Sequence, residues 1–369
     1  MFSRYVRVRA FGYQRLQVAW LSALLVVVAC ILFLLAVPAA GQVLLPGGVD
    51  ASPKIDGKIQ AQIIDSVAAA LDEVYVFPDV ALEMGKHLRK QHKDGAYKGI
   101  VSTAEFALRL SEDLRSISND RHLRVFYVPT EDFQHYQQDS LSDEEAKLLE
   151  EEHLRQMRHE NFGFVRAERL TGNVGYLRLD GFNDARYGGA TAVAALNFLA
   201  YCDALIIDLR FNGGGHPSMI QLITSYFFEE PQHLNSFYIR KEDTTRQFWT
   251  QAQVQGPRMS DADLYVLTSE RTFSAAEEFT YNLKNMERAT IIGETTGGGA
   301  HPVDGRLFAN LNVGMSLPFG RAINPITGTN WEGTGIEPHL QVPQDQALEV
   351  AHLEALKKLR EKATSEDIK

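Results

Sequence analysis

Two apolar runs, each ending in a loop of small and polar residues, constrain the fold most. Ala204-Leu205-Ile206-Ile207-Asp208-Leu209 is nearly continuous in apolar character, as a strand buried on both faces must be. Leu264-Tyr265-Val266-Leu267 is a second such run, followed after Ser274 by Phe279, Leu283 and Met286 at helical spacing. A sheet covered on both faces needs helices, and helical patterns fall between the strands at 190–200, 217–228 and 275–287. Thr290-Ile291-Ile292 adds a further strand. This alternation predicts an α/β domain over roughly 160–345.

The N-terminal third reads differently. Arg4, Arg7, Arg9 and Arg15 precede an apolar run from Val18 to Val37, and Pro38-Ala39-Ala40-Gly41 follows it. Residues 1–42 are expected to be a secretory signal peptide or an N-terminal membrane anchor. Either leaves the arginines inside and exports the body to the periplasm or the extracellular space. Residues 43–54 read as a linker, and three helical patterns follow within 55–128, the third capped by Ser102 and leading to a strand at 123–128. The charged stretch 129–161 is expected to be a solvated connector, 162–345 the core, and 346–369 a C-terminal helix and tail.

Charge narrows the partners. The chain carries a net charge of −10, and removing its first 40 residues takes this to −14. An acidic body argues against nucleic acid. Cys30 lies in the apolar run and Cys202 in the body, so the body has no disulfide framework. The oligomeric state has no sequence signature.

Ser274 sits where a strand becomes a helix. A serine there is ordinarily an N-cap. It can also be a nucleophile, because the first N–H groups of a helix lack intrahelical acceptors and can face a developing oxyanion. The turn Asp208-Leu209-Arg210-Phe211-Asn212-Gly213-Gly214-Gly215 can bring backbone N–H groups close to a ligand. It lacks the Lys-Ser/Thr ending of a phosphate loop. His122 and Glu332 lie in loops at strand entries, where a solvated or hydrogen-bonded role is the ordinary one. Gly297-Gly298-Gly299-Ala300-His301 is a second glycine cluster.

Together these segments carry a resemblance. Asp208-x-Arg210-x-Asn212-x-Gly214-Gly215, Thr272-x-Ser274-Ala275-Ala276-Glu277, Gly293-Glu294-x-Thr296 and Gly335-Ile336-x-Pro338 occur in the order and spacing of the S41 family of serine peptidases, which includes the tail-specific and tricorn-type enzymes. The N-terminal part, with Asp120-x-His122-Leu123-x-Val125, resembles the branch holding the photoreceptor retinoid-binding modules, and no PDZ-sized insertion is present. The resemblance implies an α/β fold with a crotonase-like ββα-spiral core and an N-terminal three-helix subdomain. It implies an exported serine-type peptidase acting on peptides or proteins, with no cofactor and no metal. Tail-specific members use a Ser-Lys pair, but Gly299 stands at the lysine position, and Lys284 is nearly three helical turns from Ser274. The tricorn-like members imply another set: Ser274 as nucleophile, His122 as base and Glu332 as its orienting acid. The N–H groups of Ala275 and Gly214 would form the oxyanion hole, and His301 is the reserve base. The alternative is a non-catalytic module binding an apolar, retinoid- or lipid-like ligand on the same fold. An acyl-CoA enzyme of crotonase type finds little support.

Overall fold

A computed structural model describes residues 52–130 and 143–367. The expected signal or anchor segment, including residues 18–37, lies outside the described residues. Among those described, no helix is long and apolar enough to cross a membrane.

The described chain begins with three helices, α1 (Gly57–Val74), α2 (Pro78–Lys93) and α3 (Thr103–Ser118). Ser102 caps α3 by accepting the Glu105 N–H at 3.1 Å. Asn119 ends that helix in the left-handed conformation at φ 52°, which turns the chain toward Asp120 and His122. Ile63, Val67, Leu71, Met84, Leu88, Phe106, Leu110 and Leu114 bury the facing sides of the three helices. Strand β1 (Arg124–Tyr127) then pairs antiparallel with β10 (Val313–Pro318), which also pairs with β9 (Val303–Phe308). Val313, Met315 and Leu317 of β10 enter the same apolar cluster as the helices. The segment bearing His122 is therefore fixed to the C-terminal half of the chain by strand pairing and by a shared core.

After α4 (Asp143–His159) come β2 (Phe164–Leu170), β3 (Val174–Leu179), α5 (Ala185–Leu199), β4 (Ala204–Asp208) and α6 (Pro217–Thr224). A hairpin of β5 (His233–Ile239) and β6 (Thr244–Trp249) leads to β7 (Asp263–Thr268), α7 (Ala275–Asn285) and β8 (Ala289–Gly293). The chain closes with β11 (Gly320–Ile323), β12 (Leu340–Gln341) and α8 (Ala347–Asp367). The main sheet has the order β12-β8-β7-β4-β3-β2, with only β2 antiparallel to its neighbour. One face packs on α5, α6 and α7 through Leu196, Ile220, Phe279 and Leu283. The other face packs on α8 through Ala347, Ala351 and Ala355. Small residues let that helix lie close to Tyr176, Ile206 and Tyr265.

The α/β architecture with its N-terminal helices is as expected. Strands β5, β6, β9, β10 and β11 went unread, because they lack the unbroken apolar character of β4 and β7. In the register of β4 against β7, Asp208 lies opposite Leu267. The glycine turn after one strand and the serine turn after the other therefore leave the sheet side by side, at the carboxyl ends where α/β proteins bind ligands. Ile207, fully buried against the layer of α5, α6 and α7, tests this packing. Ile207→Ala should cost about 2–5 kcal/mol in denaturant unfolding, whereas Phe198→Ala on the exposed surface should change stability by less than about 0.5 kcal/mol.

Candidate active site

Ser274 has φ 54° and ψ −117°, outside the extended region an N-cap serine adopts. Glu277 reaches back to the Ser274 N–H as in a capping box, but no cap hydrogen bond to the Ser274 hydroxyl accompanies it and the backbone angles are not those of an ordinary N-cap. A non-glycine residue at positive φ costs about 1–3 kcal/mol and persists only where its surroundings hold it. This is the form of a sharp strand-to-helix turn that presents a nucleophile.

Glu277 is the main restraint. Its carboxylate is fully buried and receives four donors. Ser274 N–H donates at 2.8 Å and Gly299 N–H at 2.9 Å to Oε2. Thr296 Oγ1–H at 2.5 Å and Gly298 N–H at 2.6 Å donate to Oε1. One side chain thus ties the serine turn to the 296–299 loop. Burial pushes this carboxyl up to about 7, while the four hydrogen bonds oppose that rise by favouring the ionised form. The loop is also strapped from outside: Trp331 Nε1–H donates to Gly299 O at 2.8 Å, and Ile336 N–H to Thr296 Oγ1 at 2.8 Å.

Gly214 closes over the serine. At φ 111° it is in a conformation side chains rarely adopt, and a Cβ there would lie 2.8 Å from Ser274 Cβ. The adjoining turn is braced by Asp208, whose carboxylate pairs with Arg210 at 2.6 Å and accepts from Tyr176 OH at 2.7 Å. The Gly214 N–H does not stand free as an oxyanion donor: it donates to Asn212 Oδ1 at 2.8 Å. Ala275 is the first residue of α7, so its N–H has no intrahelical acceptor.

His122 is buried and lies against the residue before the serine, its ring 4.6 Å from that of Phe273. A Cβ on Gly299 would fall 2.7 Å from His122 Cε1 and 2.3 Å from Phe273 Cζ. The imidazole and the phenyl ring thus occupy the space that any side chain at 299 would need. Burial lowers the His122 pKa to about 4, only partly offset by the charge of Asp120, so the ring is neutral at pH 7. Its Nδ1 is buried without a hydrogen-bond partner.

Glu332 does not hold His122. Its Oε2 accepts the Ala300 and His301 N–H groups at 2.6 and 3.1 Å and lies 3.5 Å from His301 Nδ1. Its Oε1 reaches only the Arg121 N–H beside His122, at 3.4 Å. Two loop N–H groups aimed at one oxygen draw the carboxylate to His301. Burial, reinforced by the charge of Asp120, raises Glu332 to about 7. Of His122 and His301, the one with a carboxylate partner is His301, whose Nδ1 is 2.7 Å from Asp120 Oδ2. Asp120, His301 and Glu332 present ligand atoms within 4.8 Å of one another, a set that could hold a metal, but the hydrogen bonds just given account for their approach. The sequence reading did not single out Asp120 or Glu277 for a role. Their partners lie far along the chain, and the only local signal was their place inside the quoted motifs.

Comparison with known proteins gives the family and the fold. Residues 173–342 match the profile described as peptidase family S41, and residues 57–161 match the N-terminal domain of Peptidase_S41 in eukaryotic IRBP. Over 180 residues the chain is 26% identical to the tricorn protease of Thermoplasma volcanium. That match covers 47% of this chain and 16% of the relative, so the chain spans about a sixth of that protein's length. Among solved structures, a protein from Parabacteroides merdae aligns with TM-score 0.56 at 17% identity, covering 82% of this chain and 97% of that one. Mature CPAF gives 0.56 at 13% identity, with coverage of 82% and 96%. The tricorn protease structure gives 0.51 at 13%, covering 82% of this chain and 37% of its own. At these identities the structural likeness establishes the fold.

Two outcomes test the site. Glu277→Gln replaces acceptors with an amide NH2 facing N–H donors, and should cost about 2–4 kcal/mol of stability. The pH dependence has a definite sign. Glu332 has a folded-state pKa raised from 4.5 to about 7, so the fold holds a proton that the unfolded chain releases. Its contribution is complete below about 4.5 and is lost as pH rises toward 7, about 1–3 kcal/mol. Thermal midpoints should fall across that window, and Glu332→Gln should flatten the fall.

Proposed function

Because this chain belongs to peptidase family S41, we propose that it is an exported serine-type peptidase that hydrolyses peptide bonds of peptide or protein substrates. The observation that carries this reading is the positive-φ turn at Ser274, held by Glu277 beneath the glycine turn at Gly214. Such strain has a use if the serine is a nucleophile and little use if it is a cap.

In this reading Ser274 Oγ attacks the substrate carbonyl carbon and its proton passes to a ring nitrogen of His122. The tetrahedral oxyanion takes the Ala275 N–H and, once Asn212 yields or shares it, the Gly214 N–H. The protonated imidazole then donates to the leaving amine, and water completes hydrolysis of the acyl-enzyme through the same base. His122 is neutral at working pH, which suits a base. The carboxylate whose charge favours the imidazolium is Asp120, while Glu332 acts through the turn at Arg121 rather than by direct contact. In apo sites such hydrogen bonds are commonly long and tighten when substrate binds. The early arginines and the apolar run 18–37 support export, with that run serving as a cleaved signal or as an anchor.

A serine-directed fluorophosphonate tests the assignment. Labelling should occur at Ser274 in the intact protein, disappear in Ser274→Ala, and fall by at least about a hundredfold in His122→Gln. Gly299→Ala should slow it by about tenfold or more, because the new methyl must displace the His122 or Phe273 ring. Absence of labelling, together with a co-purifying lipophilic ligand, would instead favour the binding-module alternative.

A further inference from the structure

The Asp120–His301 pair carries no proton in the mechanism above, yet it joins the two halves of the molecule at the site. Asp120 is fully buried and His301 nearly so. Asp120 Oδ1 accepts the His122 backbone N–H at 3.1 Å, while Oδ2 accepts His301 Nδ1–H at 2.7 Å and Tyr75 OH at 3.2 Å. The Phe77 ring packs edge-on against His301 at 5.6 Å between centroids. Tyr75 and Phe77 join α1 to α2, Asp120 follows α3, and His301 ends the loop that Glu277 fixes to the serine turn. We propose that Asp120 and His301 are positioning residues that set the backbone of His122 in register with the Ser274 turn.

The argument rests on a continuous series of bonds. Ser274 N–H meets Glu277, Glu277 meets Gly298 and Gly299 N–H, the loop runs on through Ala300 to His301, His301 meets Asp120, and Asp120 meets His122 N–H. Both walls around the His122 ring are held by it: the 119–122 turn on one side and the Gly299 loop on the other. No other side-chain hydrogen bond among the described residues holds the His122 backbone.

The charges suit the task. The hydrogen bond and charge of Asp120, aided by Glu332, outweigh burial and raise the His301 pKa, while burial of Asp120 is outweighed by His301 and His122, which hold its carboxyl low. The groups facing the pair are Glu332, Tyr75 and His122, with Arg321 farther off. A buried pair of this kind adds little net stability over an apolar pair of the same shape, because desolvation consumes most of the attraction. What it supplies is geometry, since the short charge-assisted bond has one good arrangement. The competing role for His301, that of the base itself, has in its favour the Nδ1–carboxylate bond that a triad histidine makes.

The inference rests on the peptidase reading only for its kinetic arm, so two measurements are paired on the full chain. Hydrogen exchange of 119–123 reads the register without any catalysis. In His301→Gln, and in the gentler Asp120→Asn, exchange of the His122 amide should quicken about tenfold or more. Fluorophosphonate inactivation reads the consequence: kinact should fall about ten- to a hundredfold with KI unchanged, as for a misplaced but intact base. Unchanged exchange at 119–123 in both variants would overturn the proposal. So would a His301→Gln variant as unreactive as Ser274→Ala alongside a reactive His122→Gln, which would make His301 the base. Should the wild type resist labelling while exchange still quickens, the peptidase reading fails and the positioning role stands.

Discussion

The four hydrogen bonds on Glu277 are the constraint on which the site depends. A serine at positive φ is held there against a cost of about 1–3 kcal/mol. A glycine-rich loop of 296–299 has little conformational preference of its own. One buried carboxylate fixes both, because its four acceptor positions are filled by donors from the serine turn and from that loop. Burying a carboxylate is costly unless such donors converge on it. The parallel sheet supplies the framework that makes the convergence possible, since the register of β4 and β7 sets the two loops side by side.

A second consequence follows from Gly299. In a Ser-Lys peptidase this position carries the base. Here the His122 and Phe273 rings fill the space where a side chain would begin. The absence of a Cβ at 299 and the presence of a histidine from the N-terminal subdomain are thus one steric solution. In the proposed mechanism it ties the chemistry to docking of that subdomain, which β1–β10 pairing and the shared apolar cluster secure. The Asp120–His301 pair refines that docking at the level of one backbone N–H.

Much of this was legible in the residues. The unbroken apolar runs at 204–209 and 264–267 marked the central strands, because burial on both faces leaves no polar position. Ser102 marked a helix start through ordinary capping chemistry. The strand-to-helix placement of Ser274 was legible as well. Its backbone angles were not, since nothing in a serine side chain reports positive φ, and position alone pointed to an N-cap before the combined motifs pointed to a nucleophile. The Glu332–His122 pairing was implied by the resemblance to tricorn-like members and is absent, because the Ala300 and His301 N–H groups take the carboxylate. Nor could spacing show that Asn212 occupies the Gly214 N–H. Partners such as Asp120 and His301, 181 residues apart, meet only after strands and helices have closed around them.

The central claim is that Ser274 is the nucleophile, served by His122 across the Phe273–Gly299 contact. It is tested most directly by a crystal structure of the protein after reaction with a fluorophosphonate. The account predicts phosphorus bonded to Ser274 Oγ, a phosphoryl oxygen within hydrogen-bond distance of the Ala275 N–H, and a His122 ring nitrogen turned to face the adduct. An adduct on another residue, or one on Ser274 approached by His301 and not by His122, would contradict it.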